Sequence, residues 1–295
     1  MRSRSPFSAR RLRSEQRYSG PASRLALPLV CAVSLTVAAC EEGRAPAPSS
    51  NSVSTTRPSG PVRLRPLVAE LGPVYQEIAQ GRYAEARRMA EHYLARHPKE
   101  AQAMLMVGLT YSKADNHGAA QPWFERALAQ DPNYYIGHEY LADSLFKQGA
   151  LDAARREYEA FGAFVPTEPK VQYQLGLIDL ELSALDAAEE RFQRAISLLE
   201  ALRARDPKMY NARLPDLASY HARLGDVAFA RDDYTAARDA FLTATKLCPG
   251  NVSAFYTLSL AQRRLGEDAL ADEALARYEQ GRATVVGGPR GGTGR

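Results

Sequence analysis

Three prolines, Pro98, Pro132 and Pro166, stand 34 residues apart. A period of that length constrains the fold more than any composition figure. A unit so short cannot bury its own apolar face, so neighbouring units must stack. Reading back from the prolines, units start at 67, 101, 135 and 169. A second pair starts at 218 and 252, beyond an insertion over 203–217. In the unit from 101, Met104, Val107, Gly108 and Tyr111 take positions 4, 7, 8 and 11, one face of a helix. Ala120, Phe124 and Ala127 take positions 20, 24 and 27, one face of a second helix. The small residues at 8, 20 and 27 let the two helices approach closely, and Pro132 stops the second.

This pattern resembles the tetratricopeptide repeat (TPR) family. The resemblance implies an all-α solenoid of about six helix-turn-helix repeats wound into a right-handed superhelix. The third unit carries Leu141, Ala142, Leu145, Ala154 and Tyr158, with bulky Phe161 at position 27. The fourth carries Leu175, Gly176, Ala188, Phe192 and Ala195, with Asp179 where an aromatic is usual. The fifth carries Leu224, Gly225, Ala237, Phe241 and Ala244, and the sixth Leu258, Ser259 and Ala271. The first is the weakest and has Pro73 inside its first helix. Repeats 1–4 are assigned to 67–202 and repeats 5–6 to 218–283. The run 197–205 keeps the apolar spacing, which predicts a longer second helix in repeat 4. Asp206-Pro207 is expected to end it, and Pro215 to precede the next helix. The tail 284–295 holds five Gly in twelve residues and reads as disordered.

The net charge of +4 is misleading. Residues 1–39 hold 7 of the 38 basic and 1 of the 34 acidic side chains, so the rest carries 31 and 33. That near balance offers no footprint for nucleic acid. Residues 25–39 form an apolar run too short to span a bilayer, behind an Arg-rich stretch, as in a secretory signal. The run ends in Val37-Ala38-Ala39-Cys40, which resembles the lipobox of bacterial lipoproteins. The resemblance implies cleavage before Cys40 and lipidation of its thiol and amino group. It places the chain at the bacterial cell envelope, facing the periplasm. Glu41, in place of an inner-membrane Asp, leans toward the outer membrane. Residues 40–66, rich in Ser and Pro, read as a linker. Cys248 alone remains outside the signal and Cys40, and its neighbours Leu242 and Leu247 favour burial.

Metal-protease, serine-hydrolase and phosphate-loop signatures are absent from the sequence. His138 and His221 both fall at position 4 and read as half-buried packing residues. Carboxylates such as Glu189-Glu190 and Asp232-Asp233 read as solvated. No metal, cofactor or enzymatic activity is expected. TPR resemblance implies that positions 2, 5, 9 and 12 of the first helices line a concave groove for a protein partner. Here they include Tyr75, Leu105, Leu109, Glu139, Asp143, Phe146, Tyr173, Leu177, Phe229 and Tyr256. That is an apolar, aromatic groove with an acidic middle, suited to an extended or helical segment bearing a basic residue. The Lys and Asn clamp of chaperone-binding relatives is missing: positions 5 and 9 read Leu105/Leu109, Glu139/Asp143 and Tyr173/Leu177. The layout resembles the pilotin lipoproteins that help secretins assemble. The competing reading is a cell-wall enzyme or its subunit, with Glu139 and Asp143 as its only candidate pair.

Overall fold

A computed structural model describes residues 68–286. The signal segment 1–39, Cys40, the linker 40–66 and the tail beyond 286 lie outside the described residues.

After a 3-10 turn, Ala69–Leu71, the chain forms α1 (Gly72–Ala79), α2 (Tyr83–Arg96), α3 (Ala101–Lys113), α4 (His117–Gln130), α5 (Tyr135–Lys147), α6 (Leu151–Phe164) and α7 (Pro169–Glu181). It continues through α8 (Leu185–Glu200), α9 (Leu202–Arg205), α10 (Pro207–Ala212), α11 (Leu214–Ala230), α12 (Tyr234–Leu247), α13 (Val252–Arg264) and α14 (Asp268–Val286). No strand occurs among the described residues, so the fold is all-α. Each repeat contributes a first helix and a second, paired in antiparallel.

Two positions make each pair. At position 15 the backbone turns back in the left-handed region. Gly81, Gly149 and Gly266 hold it at φ 75–77°, where L side chains are strained. Asp115, Ser183 and Asp232 hold the same turn at φ 57–60°. At position 8, glycine makes room for an aromatic ring at position 24. A Cβ on Gly108 would lie 2.5 Å from the Phe124 ring, on Gly176 2.7 Å from Phe192, and on Gly225 2.5 Å from Phe241. In repeat 3, Ala142 and Tyr158 take these two positions, and both are buried.

Position 21 fastens each repeat to the next. The Arg87 guanidinium lies 3.6 Å from the Tyr111 ring centre and donates to Thr110 Oγ1 at 3.1 Å. Gln148 donates to Gln121 Oε1 at 3.1 Å, and Arg155 to buried Asp179 at 2.7 Å. Arg231 pairs with Glu189 and with Asp186, and Arg238 donates to Glu267 at 2.6 Å. Glu189 is therefore an inter-repeat partner rather than a solvated charge. Asp233 caps α12 by accepting from the Ala236 amide at 3.0 Å, and Asp232 accepts from Tyr234.

Several boundaries differ from the sequence reading. α1 starts at Gly72, so Pro73 sits in its first turn, where its missing N–H costs nothing. The segment 203–217 is helical. α8 runs 16 residues against 14 in α6, and Ala201 keeps helical angles before α9. Asp206 caps α10 by accepting from the Met209 amide at 2.9 Å. Pro215 lies in the first turn of α11 rather than ahead of it. α14 extends to Val286, past the expected start of the tail at 284. Cys248 is half-buried at the end of α12, less enclosed than its apolar neighbours suggested.

The core is segmented. One cluster runs from Leu71 to Ile178, across α1–α7. A second, around Phe241 and Leu258, joins α11–α14. Between them, Leu177, Phe192 and Val227 join α7, α8 and α11, and Leu199, Leu217 and Tyr220 seat the insertion.

Candidate functional site

The first helices α1, α3, α5, α7, α11 and α13 present positions 2, 5, 9 and 12 on one face. Its two ends are the most open. Tyr75 on α1 is 56% exposed, and Tyr256 and Leu260 on α13 are 44% and 37% exposed. Tyr256 leans on the Tyr278 ring at 5.2 Å, so the exposed aromatic is held rather than free. Phe229 lies half-buried beside Tyr234, ring centres 5.2 Å apart. Arg264 covers both rings at 5.9 and 5.5 Å.

The middle of the face is a wall. Leu105, Leu109 and Leu177 are only 5–7% exposed. A Cβ on Gly137 of α5 would lie 3.4 Å from Leu105 Cδ1, which places Leu105 against the next repeat. Leu177 packs with Phe192 and Val227, and Phe146 leans on the same cluster. Tyr173 is half-buried, 4.9 Å from the Tyr220 ring and 5.8 Å from Phe192. Leu105, Leu109 and Leu177 thus form packing residues, contrary to their reading as groove contacts. Leu105 and Leu177 face the adjoining repeat, where burial is worth more than a water-facing position.

The acidic middle is also revised. Lys170, at position 2 of repeat 4, pairs with Glu139 and lies 3.8 Å from Asp143. Asp143 also accepts from the Tyr158 hydroxyl and, at 3.4 Å, from Gln174. Burial alone would lower the Lys170 pKa, but Asp143 and Glu139 outweigh it and raise it. Burial, reinforced by Asp143, pushes the Tyr158 hydroxyl far above its usual range. Along the face, Arg223 pairs with Asp226 at 2.7 Å. Burial raises the Asp226 pKa even so, with Arg223 opposing it. The carboxylates of this face are already answered by cations of the same chain.

Sequence reasoning passed over Lys170 and Arg223. The register held a signal for Lys170. It lies 31 residues beyond Glu139, close to one repeat, which brings position 2 beside position 5 of the preceding helix. The histidines behave as packing residues. His138 Nδ1 is 2.7 Å from Glu157 and Nε2 is 3.2 Å from the Pro132 carbonyl. Burial would lower its pKa, but those two partners raise it. His221 has its pKa lowered by burial, with Glu200 opposing. Among the described residues, no group of three or more His, Cys, Asp or Glu could hold a metal ion. No helix among them is long and apolar enough to cross a membrane.

The comparisons agree with this geometry. A protein of Haemophilus influenzae, described only as uncharacterized, is 28% identical over 101 residues, 34% of this chain. The match spans 56% of that relative's length. The solved structure of BtubC from P. vanneervenii superposes with TM-score 0.54 at 20% identity, over 75% of this chain and 95% of that one. The Cut9–Hcn1 hetero-tetramer of the APC/C gives 0.59 at 16% identity, over 75% of this chain and 40% of that one. These likenesses speak to the fold. The tetratricopeptide repeat profile matches residues 76–135, 105–169, 183–252 and 222–284, together more than half of the chain. With the helix pairs, the glycine–aromatic contacts and the inner face all in register, the chain belongs to the tetratricopeptide repeat family, whose repeats are protein-binding scaffolds.

Proposed function

We propose that this protein is a lipid-anchored scaffold of the bacterial envelope, facing the periplasm, that binds a partner protein along the inner helix face. The observation that carries the reading is the open end of that face. Tyr256 and Leu260, one helical turn apart on α13, stand exposed, and Tyr256 rests on the Tyr278 ring. An exposed aromatic held by a neighbouring ring loses little entropy on binding, which favours it as an anchor. Tyr75 offers a second anchor at the far end of the face. The partner segment is apolar, extended or helical, and needs no basic residue at the middle, since Lys170 fills that place.

Anchoring is supported by Val37-Ala38-Ala39-Cys40 at the edge of an apolar run. The narrower form of the reading is an assembly factor of pilotin type, at the outer membrane, supported by six repeats behind a lipobox-like run. The enzyme reading has less support, because Glu139 and Asp143 are engaged by Lys170 and Tyr158.

A photo-crosslinking residue in place of Tyr256, compared with one at exposed Glu190, tests the site in cells. Adducts from position 256 and not from 190 are expected. Equal labelling from both would defeat the assignment. The mass of the N-terminal peptide tests the anchor: a lipid-modified Cys40 is expected, and an unmodified thiol would refute it.

A further inference from the structure

The insertion after repeat 4 is seated at some residues and exposed at others. Leu202, Tyr210 and Leu214 pack against Leu199, Leu217 and Tyr220. Tyr210 also donates to Glu200 at 3.0 Å, which fixes α10 against the end of α8. Arg203, Arg205 and Lys208 of α9 and α10 are all exposed, with Met209 49% exposed beside Lys208. None of the three cations forms an ion pair within 4 Å among the described residues, and Arg203 lies over the Tyr210 ring, 5.8 Å away. The one acid between them, Asp206, is spent on capping α10. Lys246, next to Leu247 of the same cluster, is also exposed and unpaired.

We propose that α9 and α10 form a second membrane contact, laying Arg203, Arg205 and Lys208 on an anionic phospholipid surface with Met209 at the acyl boundary. Two features favour lipid over an acidic protein. An unpaired cation cluster around one flexible apolar side chain suits an interface that offers charge and hydrocarbon in layers. The contact also need not be strong alone. It rests on the anchored reading, in which 27 residues separate Cys40 from the first described residue. A chain of that length reaches at most about 95 Å even fully extended, so a tethered solenoid stays near the bilayer. Each cation near such a surface contributes roughly fivefold in partitioning. Two contacts, the lipid and the insertion, fix how the inner face is presented to the periplasm.

The test uses the full-length lipidated chain in vesicles of phosphatidylcholine, with or without phosphatidylglycerol. A fluorophore on Met209→Cys, in a Cys248→Ser background, is read by quenching from brominated lipid. Quenching in anionic vesicles at least fivefold above that in pure phosphatidylcholine is expected. The Arg203→Glu/Arg205→Glu/Lys208→Glu variant, on exposed positions and checked for unchanged helicity, is expected to fall to the phosphatidylcholine level. Equal quenching in both lipids, or quenching retained by the triple variant, would overturn the proposal. So would absent quenching with the cation cluster instead retaining an acidic protein. Flotation with pure phosphatidylcholine reports the anchor separately, so its failure would remove the anchored reading without being mistaken for failure of the insertion contact.

Discussion

Ser183 holds a left-handed backbone, φ 57°, at the repeat position where Gly81, Gly149 and Gly266 stand. A non-glycine residue there carries strain that exceeds the entropy glycine would cost. Ser183→Gly is expected to stabilise the protein by about 0.5–1 kcal/mol in urea unfolding. Gly108→Ala acts in the other direction. Its Cβ would enter the Phe124 ring, which is fully buried, so a loss of about 1–3 kcal/mol is expected. The two half-buried histidines give opposite pH signatures. His138 has a raised folded pKa, so its stabilisation is complete below the unfolded value near 6.5 and fades as pH rises through the folded value. His138→Gln should therefore cost more at about pH 6 than at about pH 8. His221 has a lowered folded pKa, so the native state loses stability as pH falls below about 6.5. His221→Gln should relieve that acid-side loss, read from unfolding midpoints across the same range.

Between elements, the Asp179 carboxylate decides how repeats 3 and 4 join. It is 3% exposed, Oδ1 accepts from Arg155 at 2.7 Å, and Oδ2 lies 3.7 Å from Arg191 Nε. Asp179→Asn leaves Arg155 facing a neutral amide across that interface. Because both arginines are partly open to water, the expected loss is about 1–3 kcal/mol, below that of a fully buried pair. Hydrogen exchange should show the opening between α6 and α7. The helix pairs themselves were legible in the sequence, because Gly108/Phe124, Gly176/Phe192 and Gly225/Phe241 recur at fixed positions. The fasteners were not. Arg87, Gln121, Arg155, Glu189 and Arg238 share position 21 but differ in type, so only the register links them. The wall at Leu105, Leu109 and Leu177 was hidden for another reason. An apolar residue at an inner position can pack on the next repeat or face a partner, and periodicity gives both the same mark.

Across the whole molecule, the break after repeat 4 matters most. Between the clusters of α1–α7 and of α11–α14 stand two smaller ones, built mainly from α7, α8 and α11. In a solenoid each repeat is held by its neighbours, so damage stays local. Phe241→Ala is expected to lower amide protection across α11–α14 while leaving α3–α6 near wild type. Uniform loss along the chain would contradict that segmentation. The insertion was visible as a lapse in the 34-residue register, but its helices and its unpaired cations emerge only once Leu202 and Tyr210 are seated. The central claim is that the inner face binds a protein, and exposed positions test it without unfolding the chain. The direct measurement is quantitative capture of partners from detergent-solubilised membranes by wild type and by Tyr75→Glu/Tyr256→Glu/Leu260→Glu. The account predicts a defined set of proteins held by wild type and lost at least tenfold by the variant, a loss of about 1.4 kcal/mol or more. The same set held equally by both would contradict it.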